Sequence, residues 1–151
     1  MRVSDVLDLK GREVVTIPPM TSVQGLARLL RIRRIGAVVV VDDAGRMIGI
    51  VSERDIVHHV AANGEVALLS HVDEIMSTSV EMCQPTDHIK HVMAVMTRRR
   101  VRHLPVMERE RLAGIISIGD VVKHRLEENM LEINVLRDAA RAHTIADPGP
   151  V

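Results

Sequence analysis

Gly49-Ile50-Val51-Ser52-Glu53-Arg54-Asp55, followed by Ile56-Val57, returns later in the chain as Gly114-Ile115-Ile116-Ser117-Ile118-Gly119-Asp120, followed by Val121-Val122. Each copy holds a glycine, two β-branched apolar residues, a serine, two variable positions, an aspartate and two more apolar residues. The Gly-apolar-apolar run reads as a buried strand, and Ser-x-x-Asp as the cap and first turn of a helix. Two roles are open for the hydroxyl and the carboxylate. They cap the helix reciprocally, or they hold a ribose or phosphate where the helix amides favour anions.

Each string closes a longer repeat. Val14 aligns with Val80, Pro19 with Pro85, Val23 with Ile89, Leu26 with Val92, Leu30 with Met96, Arg34 with Arg100 and Val40 with Val106, all 66 positions apart. After a one-residue shortening in a hairpin, Gly49, Ser52 and Asp55 meet Gly114, Ser117 and Asp120 at 65. A loop deletion of this kind is what a duplicated unit tolerates best. Within the unit, Val14 to Ile17 reads as a strand stopped by Pro18-Pro19. Val23, Leu26, Ala27, Leu29 and Leu30 recur at helical spacing up to about Arg33. The unbroken run Ala37 to Val41 suits a strand buried on both faces. Asp42-Asp43-Ala44-Gly45 is a turn, Met47 to Val51 the return strand, and Ser52 opens a helix to about Ala62. Ahead of the first unit, Ser4 is the expected cap of a short helix that Gly11 ends. Glu65 to Met76 is an irregular helical link. The last helix is expected from Ile118 to about Ala142, with Val122, Leu126, Met130, Ile133 and Leu136 along one stripe.

The chain has 151 residues, 46% hydrophobic and 26% charged, with formal net charge +0 and no Phe, Tyr or Trp. Without aromatic rings no ligand is stacked on one, which removes the usual single-strand nucleic-acid platform. Zero net charge supplies no global field toward nucleic acid or an anionic membrane. No apolar run has membrane-spanning length, and Met1-Arg2-Val3-Ser4-Asp5 does not open a signal peptide. The lone Cys83 excludes an internal disulfide. A cytoplasmic, reducing setting is expected.

With both units in view, the sequence resembles a tandem CBS-domain protein of the small stand-alone bacterial type. The residues that carry the likeness are Arg34-Ile35-Gly36-Ala37-Val38-Val39-Val40-Val41-Asp42 with Gly49 to Val57, and Arg100-Val101-Arg102-His103-Leu104-Pro105-Val106 with Gly114 to Asp120. It runs from about Val3 to Leu126. The resemblance implies a mixed α+β/α/β fold in which two β-α-β-β-α units pack about a pseudo-twofold axis, with two clefts between their sheets. The expected division is unit 1 over 1–64, a linker over 65–71, unit 2 over 72–128, a helical extension over 129–146 and a loose tail over 147–151.

The family's ligands are adenosine nucleotides: AMP, ADP, ATP, S-adenosylmethionine or NAD-type molecules. By resemblance, Asp120 accepts from the ribose hydroxyls and Ser117 meets ribose or phosphate. Arg102 and His103 are adjacent on a strand, so one of them faces the cleft and reaches the phosphates. Thr16, the backbone at Ile35 and the side chain of Ile115 complete this first cleft, which is the one expected to be occupied. The second, weaker cleft pairs Ser52 and Asp55 with Met82 and Val101. There Gly36 and Ala37 stand in place of Arg102 and His103, and Arg54 restores a positive charge.

Other features have plainer readings. Arg98-Arg99-Arg100 and Arg31, Arg33, Arg34 are solvated helix ends suited to the C-terminal dipole, or a rim attracting phosphate. His58-His59 and His88-x-x-His91 lack a completing ligand set, so no metal site is expected. No serine sits in a nucleophile elbow, and no catalytic residues are expected. Ligand sensing without chemistry is the leading function; a homodimer working through its helices is the alternative, and a nucleotide-processing enzyme stands third. The regulated partner is not written in the sequence. The dimer is expected through the helices after Ser52 and Ser117, with Ile56, Val57, Val60, Val121, Val122 and Leu126.

Overall fold

A computed structural model describes residues 1–146; the tail expected over 147–151 lies outside them. Helix α1 (Val3–Lys10) leads through β1 (Thr16–Ile17), α2 (Val23–Arg33), β2 (Ala37–Val41) and β3 (Met47–Ser52) to α3 (Glu53–Asn63). Two 3-10 segments, Gly64–Leu69 and Val72–Glu74, make the irregular link. Then follow α4 (Ile89–Arg99), β4 (His103–Glu108), β5 (Arg111–Ser117) and α5 (Ile118–Ala146).

Local chemistry accounts for the boundaries. Ser22 Oγ caps α2 by accepting from Gly25 N–H at 3.0 Å. Helices α2 and α4 both end on an arginine in the left-handed region, Arg34 (φ 53°) and Arg100 (φ 54°). In the turn between β2 and β3, Asp42 Oδ1 accepts from Ala44 N–H (3.0 Å) and Arg46 N–H (2.8 Å). Helix α1 begins earlier than Ser4: Arg2 is its N-cap, and Asp5 accepts the Arg2 N–H at 2.8 Å. Ser4 is not needed as a cap because Ser4 N–H and Val3 N–H donate to Pro85 O and Asp87 O of the other half.

The first unit has a three-stranded sheet in the order β1-β2-β3, with β1 parallel and β3 antiparallel to β2. The second keeps only β4 and β5 as full strands, and its third member shrinks to a parallel bridge between Cys83 and Val106. The chain has little length to spare there. Ser77 still pairs with Ile50 on the first sheet, and Cys83 already pairs with Val106 on the second. The span between them is used in crossing, and it becomes part of the site described below.

The two cores exchange their covers. Val3, Val6 and Leu7 of α1 are fully buried, in one cluster with Ile89, Val92, Leu104, Ile116 and Val121 of the second unit. Val72, with Ile75 and Met76, belongs to the cluster of Ile17, Leu26, Val38, Val40 and Val51 in the first. Each unit is thus closed by the segment that precedes the other. The repeated glycines follow from this. A Cβ on Gly114 would stand 2.8 Å from Leu7 Cδ2, and one on Gly49 2.6 Å from Met76 Sδ and 2.9 Å from Ser77 O.

Helix α5 starts in the core, where Val121 is fully buried and His124 Nδ1 lies 3.1 Å from Glu127 Oε2. Val121 therefore does not belong to the outward stripe expected of it. Beyond that point Leu126 is 58% exposed and Leu136 70% exposed. The helix reaches Ala146, past the Ala142 read from its stripe and at the end of the extension expected over 129–146.

Candidate functional site

Both Ser-x-x-Asp strings fold as helix starts. At α3, Asp55 Oδ2 accepts from Ser52 N–H (2.8 Å) and from Ser52 Oγ–H (3.1 Å). At α5, Asp120 Oδ2 accepts from Ser117 N–H (2.9 Å), and Asp120 N–H donates to Ser117 Oγ (3.2 Å). Each carboxylate is held by its own helix start with lone pairs left over, so the capping role leaves room for a second one. A cleft of similar size opens beside each.

The Ser52–Asp55 cleft has a volume of about 280 Å³. Ser52, Arg54, Asp55 and His58 come from the start of α3, Gly36 and Ala37 from β2 and the residue before it, and Ser77, Ser79, Val80 and Glu81 from the crossing span. Arg100, Val101, Arg102 and His103 close it from the second unit. Glu81 pairs with Arg99 at 3.1 Å. Arg54, Arg100 and Arg102 have no ion-pair partner among the described residues.

The Ser117–Asp120 cleft has a volume of about 300 Å³. Val14, Val15, Ile35 and Ile115 make its apolar walls, and Lys10, Glu13, Arg34, His103 and Ser117 its polar ones. Asp120 is covered by Lys10, whose ammonium donates to Asp120 Oδ2 at 2.7 Å and to Ile115 O at 2.9 Å. Burial raises the Asp120 pKa, but hydrogen bonds from Lys10 and Ser117 outweigh it and hold the carboxyl below its ordinary value.

His103 lines both clefts. Its ring lies across the axis against Gly36, where a Cβ would sit 3.2 Å from Cε1. Burial is the main cause that lowers the His103 pKa, opposed by Glu53 and Asp120 and assisted by Lys10 and Arg102.

The placement of the expected residues differs from the sequence reading at three points. Thr16 is exposed on β1 and lines neither cleft; Val14, two residues earlier, does. Met82 is 51% exposed and also lines neither cleft, while Val80 does. Residues two apart on an extended chain face the same way but lie about 6.6 Å apart, which carries Thr16 and Met82 past the cleft. Arg102 lines the Ser52–Asp55 cleft and not the Ser117–Asp120 one. Ile35, His103, Ile115 and Ser117 lie around the first cleft, with Asp120 behind Lys10. Gly36, Ala37, Ser52, Arg54, Asp55 and Val101 lie together around the second.

Lys10, Ser77, Ser79 and His58 are cleft residues that sequence reasoning missed. Nothing local in the sequence marks Lys10, because α1 precedes the first unit and closes the second. Two of the other histidines have local roles: His59 Nε2 meets Ser70 Oγ at 2.9 Å, and His88 Nδ1 accepts from Lys90 N–H at the start of α4. His71, Asp73 and Glu74 come close together, but Glu74 is engaged as the cap acceptor of His71 N–H at 2.6 Å.

The comparisons agree with this architecture. The family model described as CBS domain matches twice, over residues 3–62 and 72–127. The crystal structure of a CBS-domain containing protein from Agrobacterium tumefaciens is similar with a TM-score of 0.81 and 48% identity, covering 82% of this chain and 92% of that one. A CBS domain protein from Pyrobaculum aerophilum, solved in complex with AMP, has a TM-score of 0.70 and 28% identity over 80% of this chain and 89% of that one. A 33.4 kDa protein of a ribosomal RNA operon in Thermofilum pendens is 41% identical over 99 residues. That match covers 66% of this chain and 32% of the relative, so the chain spans about a third of its length.

Proposed function

The chain belongs to the CBS-domain family, and we propose that it is a regulatory module that senses an adenosine nucleotide, AMP foremost, in the Ser52–Asp55 cleft. One observation carries the choice of cleft: Asp55 lines it with no cation on its carboxylate, beside three arginines without carboxylate partners among the described residues, whereas Asp120 carries the Lys10 ammonium. A ribose diol offers two donors and a carboxylate only accepts, so Asp55 suits the sugar. Arg54, Arg100 and Arg102 suit the phosphate, which guanidinium binds bidentately. Val80 and Val101 supply apolar surface for the base. The Pyrobaculum aerophilum relative solved with AMP supports the ligand class. The residues at this site bind and orient; the module's output is a shift between pair conformations that a partner or a second copy reads.

Titration calorimetry of AMP tests the site. A charge-assisted hydrogen bond is worth roughly 1.5–3 kcal/mol, so Asp55→Asn should weaken AMP binding by about tenfold to a hundredfold. Equal binding by native protein and Asp55→Asn would refute the ribose assignment. Failure of AMP, ATP, NAD and S-adenosylmethionine alike to bind would leave the structural dimer as the function.

The dimer is favoured by its own observation. Val57 (64% exposed), Val60, Val122 and Leu126 leave apolar stripes on α3 and α5 open to solvent, and a second copy presenting the same stripes covers them. Among the described residues no helix is long and apolar enough to cross a membrane.

A further inference from the structure

The two clefts come from one duplicated unit, yet a single tethered cation separates them. Helix α1 is fixed to the second unit through the fully buried Val3, Val6 and Leu7. Leu7 lies over Gly114 as Met76 lies over Gly49. Three residues beyond these two covers stand Lys10 and Ser79, and each lines its cleft. Lys10 reaches Asp120 at 2.7 Å, with both side chains mostly buried at 30% and 23% exposure. Ser79 is short and neutral, and Asp55 has no such cation on it among the described residues.

We propose that Lys10 is a built-in occupant of the Ser117–Asp120 cleft, pairing through Oδ2 with the carboxylate that a ribose would need, so that each chain offers one ready nucleotide site and not two. This deepens the reading of Asp55 as the ribose anchor and rests on it. A neutral diol has to displace a charge-assisted pair and the second bond from Lys10 to Ile115 O. It competes with an ammonium that a packed helix holds in place, an intramolecular rival of high effective concentration. The low pKa of Asp120 agrees, because the carboxylate is already stabilised in its charged form. The asymmetry is written into sequence: three residues past its cover, one side carries Lys10 after Leu7 and the other Ser79 after Met76.

The test is the number of AMP molecules bound per chain, by native mass spectrometry, with calorimetry for affinities. Native protein should bind one AMP. Lys10→Met, which keeps the stem and removes the charge, should bind two, the second with an affinity at least tenfold above any residual binding in native protein. Lys10→Arg retains a cation and should bind one. Lys10→Met/Asp120→Asn should return to one. Two AMP per native chain, one AMP in native protein and still only one in Lys10→Met, or weaker binding in Lys10→Met than in native protein would each overturn the proposal. If native protein binds none and Lys10→Met binds one that Asp120→Asn abolishes, Lys10 stands as the occupant and the Asp55 reading falls. If neither binds, both fall.

Discussion

Adding one methyl group to Gly49 should tell more about this fold than deleting a core side chain. Gly49→Ala would put a Cβ 2.6 Å from Met76 Sδ, 3.0 Å from Met76 Cγ and 2.9 Å from Ser77 O. The equivalent Gly114→Ala would have Leu7 as its three nearest atoms, at 2.8 and 2.9 Å from its two methyl carbons and 3.4 Å from Cγ. Methionine and leucine tips can turn away at modest cost. Ser77 O cannot, because the Ser77 backbone pairs with Ile50 in both directions, at 3.0 and 2.9 Å. Overpacking a filled site costs about 1–3 kcal/mol. Gly49→Ala should sit toward the upper end, and Gly114→Ala toward the lower. For a chain of this size each kcal/mol lowers the melting temperature by about 2–4 °C. Thermal and urea melts of both variants supply the numbers. Pairing Gly114→Ala with Leu7→Val should recover part of the loss, whereas Met76→Ala should rescue Gly49→Ala poorly. If both glycine variants melt like native protein, or if Gly114→Ala and Leu7→Val are strictly additive, the exchanged covers do not press on these strands.

Three shorter predictions follow from the same contacts. Because the folded pKa of Asp120 is depressed, its stabilisation is present above the unfolded value near ~3.9 and is lost as pH falls through the lower folded value. The gap in melting temperature between native protein and Asp120→Asn should therefore be fully open at pH 7 and close below about pH 4; a gap that widens on acidification contradicts this. Burial, with Asp87 adding to it, pushes the Cys83 thiol up to about 12. It should resist iodoacetamide at pH 8 in the folded protein and react on unfolding; fast alkylation of native protein would count against the buried site. Leu126→Asp together with Val57→Asp should convert a sedimenting dimer to monomer with an unchanged far-ultraviolet spectrum, and a native protein already monomeric at tens of micromolar would dispose of the dimer.

Much of the fold was legible because it is local. The unbroken run Ala37 to Val41 marks β2 without reference to anything distant. Ser22 and Ser52 announce their helices, and Gly11 stops α1 with φ 103°. The register of the repeat brought the two Ser-x-x-Asp strings to equivalent places. The choice of cleft was not local. Arg102 and His103 are neighbours on one strand end, yet Arg102 belongs to one cleft and His103 to both. Alternation along a strand says that two side chains diverge; it does not say which unit's helix each one meets. Thr16 and Met82 lie outside the clefts for a related reason, since facing repeats along a strand while the mouth of a cleft does not.

The exchange of covers explains why Lys10 in particular was hidden. Read along the sequence, α1 precedes the first unit and is counted with it. In space it closes the second, and this is what delivers an ammonium to Asp120 from the far end of the chain. The same exchange sends the span from Ser77 to Cys83 across both sheets, costs the second unit a strand, and places Ser79 and Val80 in the wall beside Asp55. One topological fact therefore accounts for three observations: the glycines at the head of each string, the missing strand, and the contrast between a carboxylate under lysine and one left open. Moving α1 alone should disturb the Ser117–Asp120 cleft and leave the Ser52–Asp55 cleft intact. Leu7→Ala, a truncation costing about 2–5 kcal/mol in a filled core, should thus release Lys10 while AMP affinity at Asp55 stays within about twofold. Loss of AMP binding at Asp55 in Leu7→Ala would mean that the second unit folds as an indivisible whole with α1, and that the tether and the core cannot be separated.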